Sequence, residues 1–157
     1  MKTKIAFAAF LSAAGLCAQG SAIAVTTVPA TLCKTYGATA VSGLSSSHTG
    51  LYNTNPAPVS VICPVPRTRP AAADGYRAFV NGRQPTGTTL SCTLHSQRHD
   101  SYTLGASTFA RVGDPTPGGI VRMSAVLTVD KVSPLSYQSV WCSLPPGAKL
   151  FDIELVQ

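Results

Sequence analysis

The chain has 157 residues, with 12 Lys and Arg against 6 Asp and Glu, for a formal net charge of +6. That length fits one domain of ordinary size. The positive charge is too weak and too scattered to indicate a nucleic-acid partner.

Lys2 and Lys4 precede an almost unbroken apolar run from Ile5 to Ala18, and small residues follow. This is the pattern of a signal peptide over residues 1–24. Ala22-Ile23-Ala24 meets the small-x-small rule, so cleavage is expected before Val25. The apolar run is too short to span a membrane and no second one follows, so no stable membrane insertion is expected after cleavage. Leu16 directly before Cys17 argues against a lipoprotein. The expected destination is secreted or periplasmic. Loss of Lys2 and Lys4 takes the charge from +6 to +4, which leaves room for affinity to acidic cell-surface polymers.

Of five cysteines, the mature segment 25–157 keeps Cys33, Cys63, Cys92 and Cys142. An even number in an exported chain favours disulfides. Three pairings are possible, and Cys33–Cys63 with Cys92–Cys142 is the favoured one. Loops of those lengths contribute about 4 kcal/mol each in the chain-entropy account. Structural zinc wants at least one close ligand pair, which these four lack, and no metal or other cofactor is expected.

Val28-Pro29 and Ala30 to Cys33 suggest an N-terminal strand at a sheet edge, where proline's missing donor faces solvent. Ser42 to Pro58 reads as loop, with a brief strand at Leu51-Tyr52 and His48 exposed within it. Val59, Val61, Cys63 and Val65 then alternate with Ser60, Ile62 and Pro64, a firm strand. From Pro64 onward alternate prolines forbid a central ladder. The stiff exit Cys63-Pro64-Val65-Pro66-Arg67-Thr68-Arg69 presents Arg67 and Arg69, candidates for binding an anion or an acidic glycan.

Tyr76, Ala78 and Val80 share one strand face and Phe79 takes the other. Asn81-Gly82 is the strongest hairpin signal in the chain, so Tyr76–Val80 is expected to pair with Thr89–Leu94. In that second strand Leu90, Cys92 and Leu94 share a face. His95 to Ser101 reads as a polar excursion at a hairpin tip. It offers His95, Arg98 and His99 as ligand contacts, and also the residue types of a hydrolase triad. His99 has Asp74, Asp100 or Asp114 as nominal partners, but no Gly-x-Ser-x-Gly elbow frames any serine.

Two weak strands flank Gly105, and Ile120 to Val129 is the longest, with Val121, Met123, Ala125, Leu127 and Val129 on one face. In Tyr137 to Leu144, Val140, Cys142 and Leu144 share a face, so Trp141 projects the other way. It is either a core element of another layer or an exposed platform for a sugar or a partner. Leu150 to Val156 closes the chain, with Phe151, Ile153 and Leu155 expected inward. No mature window carries apolar residues at helical period without glycine or proline.

The elements Tyr36-Gly37, Gly50-Leu51-Tyr52-Asn53, Val61-Ile62-Cys63-Pro64-Val65-Pro66-Arg67, Ser91-Cys92-Thr93-Leu94 and Trp141-Cys142-Ser143-Leu144-Pro145 resemble those of uncharacterised small exported bacterial β-rich proteins. These carry Cys-Pro-x-x-Arg and Cys-Thr-Leu elements. The resemblance implies one exported β-rich domain and supplies no functional residue, because such proteins have no established activity.

The expected fold is all-β: a disulfide-linked antiparallel β-sandwich in a single domain over residues 25–157. The expected function is that of a non-enzymatic secreted or envelope-associated binding protein recognising a surface or environmental polysaccharide. Arg67, Arg69, His95, Arg98, His99 and Trp141 are its candidate contacts. The alternatives are a structural module joining an envelope or extracellular protein through a sheet edge, and a small secreted hydrolase.

Overall fold

Period-two alternation builds this molecule, and it does so on two sheets. The computed structural model describes residues 25–37, 43–66, 75–100, 102–111, 119–133 and 135–156. Residues 1–24, where a signal peptide is expected, and both Arg67 and Arg69 lie outside the described residues. In chain order the strands are β1 (Val25–Pro29), β2 (Lys34–Thr35), β3 (Leu44–Ser47), β4 (Gly50–Asn53), β5 (Val59–Val65) and β6 (Tyr76–Arg83). They continue with β7 (Ser91–Arg98), β8 (Thr103–Thr108), β9 (Ala110–Arg111), β10 (Ile120–Leu127), β11 (Ser136–Leu144) and β12 (Lys149–Val156). Among the described residues the only helical pieces are two 3₁₀ turns, Ala30–Leu32 and Val129–Lys131.

One sheet runs β3-β4-β12-β6-β10-β9, with β1 also paired to β12; the other runs β2-β5-β11-β7-β8. Every pairing is antiparallel. The fold is a disulfide-linked β-sandwich. Between the sheets lie Leu94, Val140 and Leu144 from one side and Val80, Leu150, Ile153 and Leu155 from the other, all fully buried. Each such side chain contributes about 1.5–3 kcal/mol relative to exposure. The C-terminal strand is held on both sides, by β6 along one edge and by β4 and β1 along the other.

The pairing Cys33–Cys63 with Cys92–Cys142 is the observed one. Neither bridge spans the two layers. Cys92 and Cys142 are directly opposed on neighbouring strands β7 and β11, and Cys33, just before β2, ties that edge strand to β5. The layers are joined instead by packing and by Asn53. This fully buried side chain donates to the carbonyls of Leu144 on the other sheet (2.8 Å) and Ala57 (3.0 Å). Its Oδ1 accepts from the Asn55 amide at 2.8 Å.

Three local expectations are corrected. Asn81-Gly82 does not turn the chain; both residues lie within β6, whose partners are β10 and β12 rather than β7. The Asn81 amide instead donates to Asp152 (2.6 Å) and Glu154 (2.7 Å) on the neighbouring strand. Gly82 leaves room for Leu90, whose Cδ2 would lie 2.9 Å from an added Cβ. The link from β6 to β7 therefore crosses between sheets. Second, His95 to Arg98 belong to β7, and the hairpin tip is confined to the following turn. Third, β12 changes register between Leu150 and Asp152, so Leu150 points inward and Phe151 is only half-buried.

Two predictions follow from this core. Asn53→Ala is expected to cost about 3 kcal/mol, because it removes two donated hydrogen bonds and strands the buried Leu144 carbonyl. A urea midpoint lowered at unchanged slope would show it. Tyr76 is buried, and its hydroxyl has no hydrogen-bond partner among the described residues. Burial holds its pKa well above the ordinary 10. The folded state thus keeps the proton longer than the unfolded chain, so this contribution is full below pH 10 and is lost as pH rises above it. Stability measured from pH 9 to 12 is expected to fall less steeply in Tyr76→Phe than in the parent.

Candidate functional site

Because Cys63, Cys92 and Cys142 face the core, their odd-numbered or even-numbered neighbours must face outward. On the outer side of the five-stranded sheet this produces three parallel rows. Ser60, Ser143 and Ser91 are direct cross-strand neighbours on β5, β11 and β7; the next row is Ile62, Trp141 and Thr93; the third is Pro64, Ser139 and His95. Rows are about 6.6 Å apart along the strands. A line of hydroxyls therefore runs beside a line centred on an indole.

Tyr36 completes the arrangement. It follows the short edge strand β2, and its backbone N–H donates to the Ser60 carbonyl at 2.8 Å, which sets its ring at the end of the serine row. Its ring centroid is 4.3 Å from that of Trp141, with the planes tilted by 36°. The His95 ring reaches the same indole from β7, at 4.6 Å and 36°. The indole N–H is used internally, donating to Ser139 Oγ at 3.0 Å. Ser139 is buried beneath this cluster in spite of its outward parity. Tyr36 remains 50% exposed and so is the part of the cluster most open to solvent. Beside these rings lies a shallow groove of about 250 Å³, lined by Tyr36, Ser60, Ser91, Thr93, Trp141 and Ser143.

Chemically this is a surface for stacking and hydrogen bonding. It combines aromatic faces with four aliphatic hydroxyls, and among the described residues no carboxylate lines it. Partial burial lowers the His95 pKa below its ordinary 6.5, so the imidazole beside the indole is neutral at pH 7.

The structure brings together two of the sequence candidates, Trp141 and His95, and separates Arg98 and His99 from them; Arg67 and Arg69 lie outside the described residues. Arg98 has the opposite parity on β7, pairs across from Ser136 at the far end of the strand, and makes an ion pair with Asp100 at 3.1 Å. His99 is exposed in the turn beyond. Asp100, one carboxylate that a hydrolase triad would need, is occupied by Arg98 and by the Tyr102 amide at 3.3 Å; Asp74 and Asp114 lie outside the described residues. His48 sits in the exposed turn between β3 and β4, and no group of three metal-ligating side chains forms among the described residues. Tyr36 was not a sequence candidate. It enters the sequence reading as part of the Tyr36-Gly37 element, without a role, and locally it stands three residues after a bridged cysteine, at the end of an edge strand.

No family model and no curated protein matches the chain. Among solved structures, the xylan-binding module CBM15 is similar, with a TM-score of 0.52 and 11% sequence identity over 85% of this chain and 96% of that one. The likeness is one of fold.

The chain has a single tryptophan, so its fluorescence reports on this cluster alone. Protonated imidazole is a better quencher of indole than the neutral form. Acid titration is therefore expected to lower Trp141 emission with a midpoint below 6.5, and His95→Gln is expected to abolish that step. Because the folded-state pKa is depressed, the contribution of His95 to stability is present above 6.5 and lost as pH falls through the lowered value.

Proposed function

We propose that this chain is a non-enzymatic, exported binding protein, secreted or periplasmic, that holds a polysaccharide on the outer face of its five-stranded sheet. The observation that carries this reading is Trp141 flanked by Tyr36 and His95, with the Ser60-Ser143-Ser91 row alongside. A pyranose ring has apolar C–H faces and a rim of hydroxyls. Aromatic rings take the first and serine or threonine hydroxyls take the second. The surface is open and shallow, which suits one stretch of a long chain better than an enclosed small molecule. The fold shared with a xylan-binding module supports xylan as the first ligand to try; function still has to be read from the site.

The test is co-sedimentation of the purified, oxidised protein with insoluble xylan, cellulose, chitin and peptidoglycan, together with Trp141 fluorescence on soluble oligosaccharides. Saturable retention on at least one polymer is expected. Tyr36→Ala and Trp141→Ala should each weaken it at least tenfold, about 1.4 kcal/mol. The Arg67→Ala/Arg69→Ala double variant measures what the proline-rich exit adds. Retention by Tyr36→Ala equal to the parent would move binding off this face, and no retention on any polymer would sink the reading for these ligands.

A further inference from the structure

The opposite sheet carries a second row with different chemistry. Tyr52 on β4, Lys149 on β12, Arg83 on β6 and Ile120 on β10 are successive cross-strand neighbours. The next row along, Leu51, Leu150 and Gly82, is buried, so the Tyr52 row faces out. Lys149 and Arg83 are thus two cations directly opposed on one sheet face, a placement that destabilises a β-pair. Among the described residues no carboxylate offsets it. Among the described residues the ion pairs are Arg98–Asp100 and Arg122–Glu154, and neither Lys149 nor Arg83 has a carboxylate within ion-pair distance. Asp152, in the neighbouring row, accepts instead from Asn81 at 2.6 Å.

The two cations line a groove of about 340 Å³ with Tyr52, Gln84 and Thr86. The backbone holds the groove in shape. The Gln84 amide donates to the Gly119 carbonyl at 2.9 Å, and Gln84 Oε1 accepts from the Leu90 amide at 3.1 Å. Gly119, at φ +73, could not carry a side chain, because an added Cβ would lie 2.2 Å from the Gln84 carbonyl oxygen. Lys149 Nζ donates to Thr49 Oγ1 on the Tyr52 side of the row. It also lies 5.8 Å from the centre of the Phe151 ring.

We propose that this groove is a second carbohydrate site, one that reads an acidic sugar. Arg83 and Lys149 take the oxyanion of a carboxylate or sulfate, and Tyr52 takes the face of the ring that bears it. A bound anion removes the repulsion between the two cations, so the pair is tolerated because a ligand completes it. Trp141 takes no part in this groove, and the two sites stand on opposite sheets.

The test measures affinity of the full protein for immobilised polygalacturonate and heparin, with fully methyl-esterified polygalacturonate as the uncharged control. Binding to at least one acidic polymer and none to the ester is expected. Polygalacturonate alone would identify the group as a carboxylate, heparin alone as a sulfate. Arg83→Gln/Lys149→Gln and Tyr52→Ala should each lose at least tenfold in affinity. Arg77→Gln/Arg111→Gln, which removes the same charge from two exposed positions elsewhere, should lose less than threefold. Trp141→Ala should bind the acidic polymer as the parent does, which separates failure here from failure of the first site. Lys149→Glu places an opposite charge across from Arg83, so it should raise the melting temperature at low salt while abolishing binding. Equal losses in the two double variants would reduce the effect to diffuse charge and overturn the proposal. So would a lowered melting temperature in Lys149→Glu, or no binding to either acidic polymer.

Discussion

The direct opposition of Cys92 and Cys142 across β7 and β11 is the constraint on which the outer face depends. Side chains on a strand alternate, so a slip of one residue would send every group on β11 to the other side of the sheet. A covalent bond between directly opposed inward residues forbids that slip. Trp141 is adjacent to Cys142, and His95 is three positions beyond Cys92, so both are committed outward by the same bond. Cys33–Cys63 repeats the device at the edge, where β2 has only two residues and little else to hold its register. Three residues after Cys33 comes Tyr36. Both disulfides lie on the core side, and each fixes the register of aromatic rings on the solvent side.

This explains what could be read from the chain and what could not. Alternation is a local signal, and it placed Val61, Cys63, Leu94, Val140 and Leu144 in the core and Trp141 on the opposite face. Pairing is a non-local property. Asn81-Gly82 carries the residue types of a tight hairpin, but here the Asn81 amide joins two carboxylates on β12 and Gly82 makes room for Leu90. The turn signal was thus chemistry serving a central strand. In His95 to Arg98 the polar residues hid a continuing strand, because the buried Ser96 and the half-exposed Arg98 of the same parity are themselves polar. Tyr36 was illegible for a different reason. Its value comes from a neighbour more than a hundred residues away, and only the register between β2, β5 and β11 brings the two together.

The two outer faces differ in a way that composition could not reveal. A net charge of +6 spread over the chain says little. On one sheet the exposed row is aromatic and hydroxylic. On the other, Arg122 is satisfied twice, by Glu154 at 2.6 Å and by the Phe79 ring at 4.3 Å, while Lys149 and Arg83 face each other with no acid paired to them among the described residues. Cations of equal formal charge thus have unequal roles, decided by which strand lies opposite.

The same register argument weighs on the rival reading, in which a partner chain adds a strand to a sheet edge. Such docking needs a long row of free backbone groups, with side chains that offer the newcomer apolar contact. The edge strands β2 and β9 have two residues each, and β3 ends in three exposed serines. β8 is longer, six residues, but it offers Thr103, Ala106, Ser107 and Thr108 with no large exposed aliphatic among them; β1, five residues paired to β12, exposes Val25 but ends in Pro29, which has no N–H to donate. Backbone complementarity alone, without side-chain anchors, gives little selectivity. The aromatic rings sit in the middle of a sheet face instead, where a strand cannot add but a flat ring can lie.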